Sequence, residues 1–152
     1  MRLPYDILAA DGLKALGGVY GYIAKCGLEK RLVDLVYLRT SQINGCAYCI
    51  DAHGHDLLKA GLPIQKVMLL SAWREARGLF TDREQAALAW AEAVTRVAET
   101  RVPDNDFALA RTQLSEKELA DLTIAVGLIN AYNRIAISFR REPEQRPWPA
   151  GA

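Results

Sequence analysis

Apolar residues recur along the chain at helical spacing, and the gaps between apolar stretches hold residues that end or start helices. No stretch shows the two-residue alternation of a half-buried strand, so an all-α chain is predicted. Tyr5 to Leu16 reads as a first helix broken at Gly17-Gly18, and Val19 to Cys26 as a second apolar stretch closed by Gly27. The two read equally well as one kinked helix. Glu29 to about Ser41 places Leu32, Val33, Leu35, Val36 and Leu38 on a broad apolar face, and Asn44-Gly45 turns the chain directly before Cys46. The next helix opens at the cysteines and stops at Gly61, and Pro63 starts another to about Gly78. Thr81 with Glu84, and Ser115 with Glu118, are capping-box pairs. The first pair begins a helix carrying Ala87, Trp90, Ala91, Val94 and Val97. The second begins a long one, Glu116 to about Phe139, striped by Leu119, Leu122, Val126, Ile129 and Ile135, and a short helix from Pro103 to Gln113 precedes it. Pro143, Pro147 and Pro149 bar helix from the last residues. The expected architecture is a single all-α helical bundle of about six to eight helices over residues 1–142, followed by a Pro-rich extended tail over 143–152.

Composition narrows the function classes. A chain of 152 residues is one domain and buries a core without disulfide or metal staples. With 51% hydrophobic and 24% charged residues it is not a disordered chain, and a formal charge of +1 leaves no basic field for nucleic acid. The longest run without a charged residue, Leu122 to Asn133, is shorter than the roughly 18 apolar residues that mark a membrane span. The N-terminal residues lack the pattern of a secretory signal, so a soluble protein in a reducing cytoplasm is expected, with no membrane and no nucleic-acid partner. In that compartment the adjacent pair Cys46 and Cys49 points to redox or metal chemistry.

The chemistry concentrates in Cys46-Ala47-Tyr48-Cys49-Ile50-Asp51-Ala52-His53. At about 100° per residue, Cys46, Cys49 and His53 share one helix face, and His53 follows Cys49 by one turn. A neutral imidazole there can take a thiol proton, while the helix start favours thiolate over thiol, so one cysteine is expected to be a thiolate near neutral pH. His55 points to the opposite side and is expected to be solvated. That weakens a closed zinc site built from Cys46, Cys49, His53 and His55. An open metal site and an inert buried pair remain as alternatives.

The stretch Leu35 to His53, with its CxxC, three residues, then histidine, resembles the core motif of the alkylhydroperoxidase D-like (AhpD-like) branch of the carboxymuconolactone decarboxylase superfamily. Phe80 to Glu84, Ile129 to Arg134 and Ile137 to Arg140 extend the resemblance over most of the chain. It implies a thiol-dependent peroxidase without a cofactor or metal. Cys49 would attack the hydroperoxide, Cys46 would resolve the sulfenic acid to a disulfide, and His53 with Asp34 would relay protons. The implied partners are a hydroperoxide substrate, a dithiol reductant such as a lipoyl protein or a thioredoxin-like donor, and further copies of the chain in a trimer or hexamer. Two positions depart from the pattern: Asp34 stands where the family has a longer glutamate, and Tyr48 stands where well-known members have a histidine before the second cysteine. Weak peroxidase activity is the expectation. A redox or metal-binding scaffold, thiol–disulfide exchange, and a decarboxylase-like or isomerase-like enzyme using His53 without the thiols are the other readings.

Plainer roles are open for several of these residues. Asp34 follows Lys30 at the spacing of an ordinary surface pair. Tyr48 fits a residue packed on the core with its hydroxyl at the surface, and Cys26 a small buried hydrophobe. Trp73 and Trp90 suit core or interface positions, Trp148 could clip the tail to a neighbouring surface, and Arg39 could be structural or face a pocket.

Overall fold

The computed structural model describes residues 1–149. Among these there is no strand. Nine α-helices follow one another: α1 (Tyr5–Leu8), α2 (Ala10–Ile23), α3 (Lys30–Asn44), α4 (Ala47–Lys59), α5 (Ile64–Met68), α6 (Asp82–Thr95), α7 (Val97–Thr100), α8 (Asp104–Gln113) and α9 (Glu116–Phe139). The all-α bundle is as expected, and the surplus over eight comes from the single turns α1 and α7.

Helix α3 is the axis of the bundle, packed at once against α4, α6 and α9. It is buried on more than one side, which is why nine of its fifteen residues are inaccessible, Asp34, Thr40 and Ser41 among them. One core lies between α3, α6 and α9 and includes Val36, Ala87, Leu122 and Val126. A second lies between α3, α4 and α6 and includes Leu35, Leu57, Leu70 and Leu88. Helix α9 has the length and apolar content of a membrane-crossing helix, with mean hydropathy 1.3 over its best window. In the bundle it lies against α2, α3, α4, α6 and α8. Both capping boxes form: Thr81 and Ser115 each accept from the N–H three residues on, and Glu84 and Glu118 bond back to the cap.

Two helix boundaries differ from the sequence reading. Gly17 and Gly18 do not break the first helix; both keep helical dihedrals inside α2, and the break falls at Ala9 instead. Packing along α9 offsets the roughly 1 kcal/mol that each interior glycine costs. Conversely, the helix expected from Pro63 to Gly78 stops at Met68 and continues as 3-10 turns over Leu69–Ala72 and Arg77–Leu79. The cause is tertiary. Trp73 is drawn into the second core, and its Nε1 donates to buried Glu92 at 2.9 Å. Arg39 and Arg74 bond the same carboxylate at 2.7 Å each, so Arg39 is structural. Trp90 is likewise a core residue, its Nε1 donating to Thr123 at 3.0 Å.

After Arg140, left-handed at φ 54°, the chain leaves α9 and runs without regular structure along the outside of α4. Arg146 bonds Asp51 at 3.2 Å, and the Trp148 ring covers Gly54, where a Cβ would stand 3.7 Å from it. Trp148 thus clips the tail onto α4 of its own chain.

Candidate functional site

The site begins at the joint between α3 and α4. Gly45 is left-handed at φ 71°, a conformation in which an L side chain is strained, and it closes α3 with paired bonds. Its N–H donates to the Gln42 carbonyl at 3.3 Å, and the Cys46 N–H reaches back to the Ser41 carbonyl at 3.0 Å. The same Cys46 is the N-cap of α4: its Sγ accepts from the Cys49 N–H at 3.4 Å. One residue therefore ends one helix and starts the next, and its sulfur occupies the place of a capping oxygen.

This placement divides the pair electrostatically. Cys46 is held down at about 7, chiefly by the hydrogen bond from the Cys49 thiol, with the Cys49 N–H and Asn133 adding to it against the opposing cost of burial. Cys49 is pushed up, first by donating that bond to Cys46 and then by burial. Of the two, Cys46 is the thiol that ionises first. The lowered thiol is the one that caps α4, Cys46, and the raised one is Cys49.

Asn133, to which helical phase does not point, acts to lower both thiols. It is fully buried on α9, and its amide donates to Ser41 Oγ at 3.0 Å while its carbonyl accepts from Asn44 at 2.8 Å. Asn44 also donates to Asn130 at 2.9 Å. The available signal is two asparagines three residues apart inside a long apolar helix, where each must find partners.

Cys49 faces a cavity of about 340 Å³ between α2, α4 and α9, with His53, Tyr48, Tyr20, Tyr132 and Arg141 also on its wall. Cys46 instead lines a smaller groove of about 130 Å³ with Gly45, Ile137 and Arg140. Burial holds the His53 imidazole down to about 4, so it is neutral at physiological pH. Its Nδ1 is buried without a hydrogen-bond partner among the described residues, and its ring packs on Tyr37 with centroids 5.1 Å apart. Tyr48 is half-buried, with its ring beneath the Arg141 guanidinium at 4.0 Å.

Asp34 stands apart from the thiols. It is buried on α3 and bonded to Lys30, and it lines a small pocket with Tyr37 and Tyr20 rather than the Cys49 cavity. Burial pushes its carboxyl up. Tyr37, whose ring packs on His53, lines that same pocket, and its buried hydroxyl bonds neither Asp34 nor any other described residue. His55 is not the solvated residue expected: it is mostly covered, with Trp148 at a centroid distance of 6.2 Å. It faces away from Cys46 and Cys49, so the four-ligand zinc set does not assemble, and among the described residues no three metal-binding side chains gather. Cys26 is partly buried against the first core, its thiol donating to the Ile23 carbonyl at 3.1 Å.

Residues 10–93 match the carboxymuconolactone decarboxylase family. The uncharacterised protein YdfG of Bacillus subtilis is 34% identical over 90% of this chain and 92% of its own length. The alkyl hydroperoxide reductase AhpD of Coxiella burnetii is 45% identical over 53 residues, 33% of this chain and 30% of that protein. A crystal structure from Agrobacterium tumefaciens, of a protein of unknown function described as an AhpD antioxidant-defence candidate, superposes with a TM-score of 0.92. It is 39% identical and covers 95% of this chain and 99% of that one.

Proposed function

The chain belongs to the carboxymuconolactone decarboxylase family as an AhpD-like member, and from that premise we propose that it is a thiol-dependent peroxidase reducing organic hydroperoxides through Cys46 and Cys49. The observation that carries this reading is the division of the pair: Cys49 faces the cavity, and Cys46 caps the helix behind it with its thiol held down. In the first step the Cys49 sulfur attacks the terminal oxygen of the hydroperoxide. The O–O bond breaks, a sulfenic acid forms, and the Cys49 proton passes through neutral His53 to the departing alkoxide, which leaves as the alcohol. In the second step the Cys46 thiolate attacks the Cys49 sulfur, and the S–O bond breaks. The hydroxide released takes a proton from solvent to become water. Asp34 stands behind His53 in its own pocket and acts on this proton transfer from there, with no hydrogen bond joining it to Tyr37 or His53. A dithiol reductant, a lipoyl protein or a thioredoxin-like donor, then reopens the disulfide from the groove beside Cys46. The raised Cys49 thiol makes the first step slow, which agrees with a weak peroxidase.

We place the protein in the cytoplasm as a homo-oligomer, a trimer or hexamer. Exposed Ile7, Leu8, Tyr20 and Tyr22 on α1 and α2 support association of copies. A second reading, thiol–disulfide exchange without peroxide, is favoured by the lowered Cys46 thiol lying beside the groove. Counting free thiols before and after one equivalent of cumene hydroperoxide separates the two. A peroxidase loses two thiols per chain in the wild type, and Cys49→Ser loses none from the site. If the wild type keeps both thiols but loses them to an oxidised dithiol, the exchange reading replaces the peroxidase.

A further inference from the structure

The Cys49 cavity is walled by aromatic and aliphatic groups, Tyr5, Tyr20, Tyr132 and Ile135 among them, and among the described residues Arg141 is the one permanently charged side chain on its wall. Arg141 is positioned by two tyrosines. Its Nη1 donates to the Tyr5 hydroxyl at 3.1 Å, and its plane stacks over the Tyr48 ring. Yet it forms no ion pair within 4.0 Å among the described residues, whereas the half-buried Arg39 and Arg83 each bond a carboxylate. A half-buried cation that is positioned by neutral groups, lacks a carboxylate and faces an apolar cavity is arranged to receive an anion.

We propose that this cavity selects hydroperoxides whose apolar body also carries a carboxylate, with Arg141 as the counter-ion that orients them toward Cys49. The class is that of an amphipathic acid hydroperoxide, an oxidised fatty acid or an aryl-substituted acid. The tyrosine rings take the hydrocarbon and the guanidinium takes the carboxylate. A cavity of about 340 Å³ holds such a body in part and leaves the rest of a long chain in the opening. Cys49 and Arg141 share this wall, so the carboxylate and the peroxide group are recognised together. This rests on the peroxidase reading for the reaction but not for the binding.

The test uses a matched pair, a fatty-acid hydroperoxide and its methyl ester, which differ only in the charge. Single-turnover loss of thiols is followed for each in wild type, Arg141→Gln and Arg141→Lys. The ratio of acid to ester rates cancels any general effect of the substitution on the thiols. The wild type is expected to favour the acid by about tenfold or more, Arg141→Gln to bring the ratio near one, and Arg141→Lys to restore part of it. An equal ratio in wild type and Arg141→Gln would overturn the proposal. Binding of the unreactive hydroxy acid and its ester, read by calorimetry, decides the matter if neither peroxide oxidises the thiols. In that case the peroxidase reading fails, while an acid preference lost in Arg141→Gln still upholds the site, and no preference in the wild type overturns it.

Discussion

The backbone N–H of Cys49 donates to the sulfur of Cys46 across 3.4 Å, so the first cysteine caps the helix that carries the second. This bond, with the thiol of Cys49 and the amide of Asn133, holds Cys46 at about 7. Alkylation of Cys46 by iodoacetamide should therefore rise through an inflection near pH 7 and slow below it. Cys49→Ala removes the largest of these donors, and the inflection should move up toward the ordinary thiol value. Mass spectrometry of the alkylated peptide against pH reads both, and an unmoved inflection in the variant would contradict the assignment.

Much of this frame is legible in the sequence, and the exceptions have physical causes. Thr81 with Glu84 and Ser115 with Glu118 mark helix starts because each box is satisfied by neighbouring residues, and Asn44-Gly45 marks the turn before Cys46 for the same reason. The unbroken run through Gly17-Gly18 and the arrest of α5 before Trp73 depend on contacts with α9 and with Glu92, far away along the chain. Of the candidate residues, helical phase groups Cys46, Cys49 and His53 on one face; Cys49 and His53 share one cavity wall, while Cys46, as the cap, turns to a groove of its own. Asn133 and Arg141 come from the far end of α9 and its exit, so only the fold brings them to the thiols.

Asn133 both structures the site and tunes it. Asn133→Ala leaves Ser41 Oγ without its donor and Asn44 with Asn130 as its remaining acceptor, and should cost about 1–3 kcal/mol in chemical denaturation. The same substitution should raise the pH at which Cys46 becomes reactive, since one donor to the thiolate is gone. A loss of stability with no change in thiol titration would make Asn133 purely structural.

His53 is held neutral down to about pH 4 by burial. In Cys46→Ser, sulfenic acid formation at Cys49 should accordingly run without an inflection near pH 6.5, the ordinary imidazole value. His53→Asn should slow that step by about a hundredfold. Asp34→Asn, one step further from the sulfur, should slow it less than tenfold. Stopped-flow measurement of sulfenic acid formation across pH 5 to 8 checks all three outcomes.

Glu92 anchors the far end of the bundle. Burial alone would raise its carboxyl, but hydrogen bonds from Trp73 and Arg39 and the charges of Arg39 and Arg74 bring it below the usual range. Because its folded value is depressed, the stability it contributes is present above the ordinary glutamate value and is lost as pH falls through the folded one. Glu92→Gln should lower stability by about 3 kcal/mol at pH 7 and by less in acid, with thiol reactivity per folded molecule unchanged. Thermal unfolding of wild type and variant between pH 3 and pH 7 provides the comparison.

The central claim is that Cys49 meets the peroxide and Cys46 resolves it. Its most direct test is to treat Cys46→Ser and Cys49→Ser with one equivalent of organic hydroperoxide in the presence of dimedone and to locate the adduct by mass spectrometry. The predicted result is a sulfenic acid adduct at Cys49 in Cys46→Ser and none at Cys46 in Cys49→Ser. An adduct at Cys46 in Cys49→Ser, with Cys49 unmodified in the other variant, would contradict it.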